Sequence, residues 1–523
     1  MLASVISFSP VGVEGQLIYV EVDIRRGLPG VDIVGLPDNA VKEAKERVRV
    51  AIRNSGFNFP RDRILISLAP AGIRKEGASY DLPIAIGILI ASNQLTGKDP
   101  PHIMILGELN LNGNVKPVKG VISAVISGLS KGVNFFFVPS ENLTEGSAVK
   151  KGKVFGISSL TEAYKLFTVF AHGEIPRTPM LSSNTGTLQS TGPAYTEPAG
   201  NGDFADIKGQ LRLKRAMEIA AAGFHHILIF GPPGSGKTMS AYRLPSILPE
   251  LSEEESLIVT RIHSVAGFLP AHSGLIKVRP FRAPHHTASI EGVIGGGTIP
   301  KPGEVSLAHK GVLLLDEAPE FKKVLLQSLR EPVEEGVVTV SRVGSSIKFP
   351  SEFQLVMTAN ACPCGNLGRE DAVCVCSRTE IYRYWRKVGG ALLDRIDIRV
   401  PVQPVSKEII FSEKGESSKI IKERVKMAVE IQNERYKNYP FKRNGRIPPG
   451  LIEEICPLDT AGTDSLYKAT EKLALSSRAL HSVLKIARTI SDLSNTKKIK
   501  EEHILEALQH RRYGDSDFFW NIN

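Results

Sequence analysis

Cysteines and long apolar runs are scarce in this chain, and acidic charge falls short of basic. Five cysteines in 523 residues are too few for a disulfide scaffold and suit a cytosol where thiols stay reduced. The longest apolar run, Leu82 to Ala91, is shorter than the roughly 20 residues that cross a bilayer. Met1-Leu2-Ala3-Ser4 carries neither a basic leader nor a cleavage site, and no tandem repeat is present. These absences exclude a secreted disulfide protein and a membrane span. The expectation is a soluble, cytoplasmic protein. What is in excess is positive charge, net +10 with an isoelectric point of about 9.2. That suits a polyanionic partner such as nucleic acid, and equally a solvated basic face.

At this length about two to four domains are expected. Residues 1–170 alternate strand-like runs (Leu17–Ile24, Ile64–Leu68, Phe135–Pro139) with helical ones (Asn39–Asn54, Leu82–Ser92), an α+β pattern. Residues 171–202 are rich in Ser, Thr, Pro and Gly and read as a flexible linker. Residues 203–404 alternate strands and helices around a glycine-rich loop, and residues 405–523 turn helical: Ile420–Tyr436, Asp464–Leu475, Ser477–Leu493, Glu501–His510. The predicted class is α/β.

The glycine-rich loop is Gly231-Pro232-Pro233-Gly234-Ser235-Gly236-Lys237-Thr238, directly after the apolar run Ile227–Phe230. Small residues let backbone N–H groups converge on a phosphate at a helix start. Lys237 adds charge for the β- and γ-phosphates, and Thr238 a hydroxyl for Mg²⁺. The spacing therefore predicts ATP with Mg²⁺. A second apolar strand, Gly311–Leu315, ends in Asp316 and Glu317: the first acid to hold Mg²⁺, the second to polarise the attacking water. The run Phe353–Ala359 ends at Asn360, whose amide can orient that water or cap a turn. On the residues alone, Arg395 in Leu392-Leu393-Asp394-Arg395 is one arginine among many, and Arg478 a solvated residue near a helix start.

Cys362-x-Cys364 and Cys374-x-Cys376 bracket a polar loop after Asn360. Four thiolates can hold Zn²⁺ tetrahedrally, although the two-residue spacers of common zinc ribbons are absent; the other reading is reduced thiols packed near the nucleotide. Val337–Val343 and Ile347–Phe349 flank Gly344-Ser345-Ser346 and predict a β-hairpin carrying Arg342 and Lys348. A stretch from about Gly267 to Glu304, with Arg282, His285 and His286, reads as an insert in the core.

Phe281-Arg282-Ala283-Pro284-His285-His286, Pro302–His309, the Asp316-Glu317 strand, Cys362-Pro363-Cys364-Gly365 and Leu392–Arg395 follow one another in order. Together they resemble the ComM/YifB family, in the magnesium-chelatase-related branch of AAA+ ATPases. The resemblance implies that Asn360 is sensor 1, Arg395 an arginine finger acting on a neighbour, and Arg478 sensor 2. It implies an AAA+ P-loop NTPase core, a C-terminal helical lid, a homo-hexameric ring, and a pore-facing hairpin and insert, making Arg282, Arg342 and Lys348 candidate DNA contacts. Gly107–Val118 resembles the catalytic domain of Lon protease, so the N-terminal part is expected to be Lon-protease-like. Ser79 falls near the nucleophile position, but Ile122 stands where the activating lysine belongs, so the unit is expected to be non-proteolytic. The implied function is an ATP-driven DNA helicase or translocase that promotes branch migration in recombination and transformation. The alternatives are a protein-remodelling ATPase like the magnesium chelatase motor, which lacks the Lon-like part, and, more remotely, an ATP-dependent protease.

Overall fold

The computed structural model describes residues 2–95, 102–176, 202–297, 300–342, 345–369, 371–405, 409, 415–473 and 475–511. Most of the expected linker lies outside them. Its first residue, Ala171, closes the helix Leu160–Ala171, because Phe167, Phe170 and Ala171 are buried in the core.

The chain gathers into two compact units. The first is built on a seven-stranded mixed sheet in the order 30–34, 63–69, 14–25, 2–11, 103–105, 135–139, 153–157. Alternation sets its faces: Ile64, Ile66 and Leu68 are buried while Arg63 and Leu65 look outward. The helix Asn39–Asn54 buries Val41, Ala44, Val48 and Ala51 at helical spacing, and Asp38 caps it by accepting the Val41 N–H at 2.7 Å. The helix Asp81–Ala91 is buried nearly all round, as its unbroken apolar run requires.

Residues 253–276 depart from the linear division at residue 203, since they belong to this first unit. The helix Glu253–Ala266 packs on the helix Val121–Ser130. Ser264 Oγ accepts the Gly120 N–H at 2.9 Å and donates to the buried Glu145 carboxylate at 2.5 Å. Polar spacing on the helix gave no sign that this face had such a partner.

The second unit is a five-stranded parallel sheet in the order 281–282, 312–315, 354–359, 227–230, 398–401. Every residue of Ile227–Phe230, Val312–Leu315 and Gln354–Ala359 is buried. Alternate side chains serve two cores, Val312 and Leu314 on one face and Leu313 and Leu315 on the other, which is why these strands read as continuous apolar runs. Within the expected insert at 267–304, residues 267–276 go with the first unit, and Phe281–Arg282 form the edge strand of this sheet. The helices Ser418–Arg435, Thr460–Leu473, Ser477–Leu493 and Glu501–Arg511 follow the predicted tail closely. No helix among the described residues is long and apolar enough to cross a membrane.

Two buried histidines give this unit a pH dependence. Burial, with Arg446 beside it, pulls His226 down to about 3; burial pulls His510 down to about 4. Leu355 N–H donates to His226 Nδ1 at 2.9 Å, a bond that needs the neutral ring. Once unfolded, both rings take up a proton below about pH 6.5, which the folded state refuses. Their neutral burial therefore costs nothing above that pH and destabilises the fold progressively as pH falls toward 4. The melting temperature of this unit is expected to drop between pH 7 and pH 5 in calorimetry.

Candidate nucleotide site and arginine cluster

The loop 231–236 leaves the strand Ile227–Phe230 and enters the helix Lys237–Arg243. Gly234 and Gly236 both sit at positive φ (77° and 81°), a conformation that glycine adopts without strain. Such alternation of backbone hand turns successive N–H groups toward one concavity. Gly231 is required for a second reason: a Cβ there would lie 2.1 Å from the Val402 carbonyl oxygen. Lys237 is buried, and its Nζ donates to the carbonyls of Gly231 (3.0 Å) and Pro232 (2.8 Å) and to Asn360 Oδ1 (3.2 Å). Burial lowers its pKa, with Asp316 and Glu317 acting the other way. Thr238 Oγ1 donates to Asp316 at 2.9 Å, so the hydroxyl and carboxylate predicted to share Mg²⁺ already meet. Ser235 Oγ closes the loop on the Pro232 carbonyl at 2.8 Å.

Thr358 was not singled out from sequence. Its Oγ1 donates to Asp316 at 2.5 Å and accepts the Glu317 N–H at 3.0 Å. Glu317 needs that support, because its φ of 53° is left-handed, a strain of about 1–2 kcal/mol for a side-chain-bearing residue. A polar residue at the C-terminal end of a buried strand, beside an acidic strand end, is the signal that would have found it. Gln210, also left-handed, donates to the carbonyls of Ser235 (3.3 Å) and Gln403 (2.6 Å) and left no mark in the sequence.

Arg395 and Arg478 come together on one carboxylate. Arg395 donates to the Ala391 carbonyl at 2.6 Å and pairs with Glu334, and Arg478 reaches the other oxygen of Glu334 at 3.2 Å. Neither bonds to loop 231–238. Burial alone would raise the Glu334 carboxyl; Arg395 and Arg478 outweigh it and hold it below the usual range. These three residues line a cavity of about 570 Å³ with Arg446, His481 and Lys485. A buried network fixes its walls: His225 bonds Asp397 (3.2 Å) and Thr489 (2.7 Å), and Ser482 donates to Asp397 at 2.8 Å. It ties the segment carrying Arg395 to the helix carrying Arg478.

The strands Val337–Arg342 and Ser345–Pro350 pair antiparallel, as the hairpin prediction required; residues 343 and 344 lie outside the described residues. The second strand starts at Ser345, within the expected turn. Lys348 is exposed, opposite Thr339, and Arg342 pairs with Ser345 in register. Arg282 is matched within the chain, its guanidinium gripping Glu304 at 2.5 and 2.8 Å. His285 and His286 stack with ring centres 4.1 Å apart.

The four cysteine Sγ atoms lie within 4.8 Å of one another. Cys362 is 3.4 Å from Cys364 and 3.6 Å from Cys374, and Cys364 is 3.7 Å from Cys374. Thiolates around one tetrahedral zinc stand about 3.8 Å apart, given Zn–S bonds of about 2.3 Å. The arrangement fits a single ion. Cys456 is buried alone, and burial pushes its thiol up to about 12.

In the first unit, no lysine is bonded to the Ser79 hydroxyl among the described residues. Lys75 is buried and donates to the Pro70 carbonyl, and Ile122, in the first turn of its helix, donates its N–H to Glu145 at 2.9 Å. Of the basic residues on the helix Asn39–Asn54, Arg47 is committed to the buried Asp81 at 3.0 Å, while Lys42, Lys45, Arg49 and Arg53 are exposed.

Residues 203–410 match the family model "Magnesium chelatase, subunit ChlI", residues 20–142 the model "Subunit ChlI of Mg-chelatase", and residues 415–511 its C-terminal model. The chain is similar to "Competence protein ComM" of Haemophilus influenzae, 40% identical over 98% of this chain and 97% of that protein. It is similar to "Uncharacterized protein YifB" of Salmonella typhimurium, 39% identical over 98% and 97%. A shorter match, 25% identical over 31% of this chain, is to Lon protease of Lawsonia intracellularis.

Proposed function

Since the chain belongs to the ComM/YifB family of magnesium-chelatase-related AAA+ ATPases, we propose that it is a ring-forming, DNA-stimulated motor that drives branch migration in homologous recombination and in the integration of transforming DNA. ATP sits on loop 231–238, with Mg²⁺ between Thr238 and Asp316. Lys237 neutralises the developing charge on the phosphates, and Glu317 and Asn360 orient the attacking water. Arg395 and Arg478 meet the nucleotide of an adjacent subunit in a hexamer. Arg342 and Lys348 meet phosphates without reading sequence, whereas Arg282, already paired with Glu304, contributes less. The four cysteines hold zinc, the N-terminal unit is a Lon-like scaffold without peptidase chemistry, and the protein works in the cytoplasm.

The observation that carries the motor reading is the closed set Lys237–Asn360 and Thr238–Asp316–Thr358–Glu317, which joins phosphate, metal and water handling at the ends of three adjacent strands. The DNA reading is supported by the competence protein among the relatives, the basic balance of charge and the exposed Lys348. ATP turnover is expected to rise several-fold with forked or single-stranded DNA and to vanish in Lys237→Ala. Turnover indifferent to DNA, together with casein breakdown, reverses this reading. A protein-remodelling ATPase is the second reading. A magnesium-chelatase model also covers residues 20–142, so an N-terminal unit does not by itself separate this chain from that motor. Turnover stimulated by a protein partner and not by DNA would favour it.

A further inference from the structure

The cysteine loop lies between the strand that ends at Asn360 and the helix Arg378–Val388. Cys362 follows Asn360 by two residues, and Cys376 immediately precedes Ser377, the cap of the helix Arg378–Val388. One ion bound to all four thiols therefore ties the end of the Asn360 strand to the start of that helix. Backbone N–H groups already point at the sulfurs: Leu367 N–H donates to Cys362 Sγ at 3.3 Å, the arrangement that stabilises metal-bound thiolates.

The same loop touches the phosphate loop. Gly365, buried and at φ 79°, lies against Pro233; a Cβ built on it would stand 3.1 Å from Pro233 Cδ. Among the described residues, Leu367, Cys374 and Cys376 pack against the core that buries Cys362, and Asn366 donates to the Val373 carbonyl at 3.4 Å. Val373 and Val375 are each 82% exposed, so burial of apolar surface contributes little to ordering it. Cys374 and Cys376 are half-buried, and the start of the loop is anchored by the buried Cys362 and by Trp385, whose Nε1 donates to the Ala361 carbonyl at 3.1 Å. The exposed far side of the loop, at Val373 and Val375, gains order from whatever closes the four sulfurs. The closeness of all four sulfurs also favours one ion over a multi-iron cluster, whose ligands stand farther apart.

We propose that a zinc ion on Cys362, Cys364, Cys374 and Cys376 braces the phosphate loop through the Gly365–Pro233 contact, so that nucleotide affinity depends on the zinc. The inference rests on the zinc assignment made above. Zinc takes no part in hydrolysis here. It fixes the shape of one loop, and that loop limits the freedom of Pro233 and of the cradle next to it.

The test uses the full chain, purified under reducing conditions. Zinc is counted by elemental analysis. The dissociation constant of a fluorescent ATP analogue is measured in excess Mg²⁺ before zinc is stripped by a chelator, after stripping and chelator removal, and after zinc is returned. One zinc per chain is expected, with affinity falling roughly tenfold or more on stripping and recovering on return. Gly365→Ala is expected to keep its zinc yet bind the analogue more weakly, because the added Cβ is strained at that φ and presses on Pro233. A folded chain containing no metal overturns the zinc assignment. Zinc present, with affinity unchanged by its removal, overturns the brace and leaves the assignment standing. Should stripping unfold the chain, Gly365→Ala decides: unchanged affinity in that variant overturns the brace.

Discussion

Arg395→Ala is expected to keep nucleotide affinity and lose ATP turnover by about 10³-fold or more, the usual size of an arginine-finger effect. The geometry motivates both halves. Arg395 bonds the Ala391 carbonyl and Glu334 and makes no bond to loop 231–238 of its own chain, so removing it leaves the cradle as it is. Its charge is held beside that of Arg478 by one shared carboxylate, in the wall of a cavity that Arg446 and Lys485 also line. A mixture makes the direction of action measurable. Arg395→Ala and Lys237→Ala chains are each inactive alone. Mixed in one assembly, a subunit with intact Lys237 can neighbour one with intact Arg395, and part of the turnover should return. Wild-type turnover in Arg395→Ala, or no recovery in a mixture shown to co-assemble, rules out action across a subunit boundary.

The second large effect is expected at Glu317. Glu317→Gln keeps shape and hydrogen bonding but removes the carboxylate proposed to polarise water, so turnover should fall by about 10²–10⁴-fold. Mg²⁺ and ATP should stay bound, because their contacts are assigned to Thr238, Asp316 and the loop. The checks are a rapid-quench measurement of the chemical step and the fraction of nucleotide recovered uncleaved from the purified complex. Should ATP affinity fall in step with turnover, Glu317 would be a binding residue and the assignment of water activation to it would fail.

Much of the site could be read in the sequence because its determinants are local. The cradle is one unbroken octet after a strand, and both acids sit at the end of an apolar run whose length and composition identify a central parallel strand. The helices Asn39–Asn54 and Ser477–Leu493 were legible to the residue, since apolar periodicity and capping residues coincide there. What stayed hidden depends on distant partners. Glu334 lies in an acidic stretch, Glu331-Pro332-Val333-Glu334-Glu335, with nothing to distinguish it from a solvated turn until two arginines close on it. Gln210 is a polar residue in a polar context, and its bonds reach residues 25 and 193 positions away. The strand Leu2–Val11 was missed as well, its pattern blurred because only its pairing with Glu14–Arg25 and Ile103–Ile105 decides which side chains turn inward.

Residues 253–276 have a consequence for how the molecule can be taken apart. The second unit's polypeptide leaves, lends a helix to the first, and returns, so the two are joined by three covalent threads. A protease that severs the chain between 177 and 201 cuts only one of them. Conversely, a fragment begun at residue 203 carries the borrowed helix, with its buried Val259 and Ile262, without the helix Val121–Ser130 on which it packs. The ATPase unit is thus not a detachable engine; it was built to be made and kept in one piece with the unit before it.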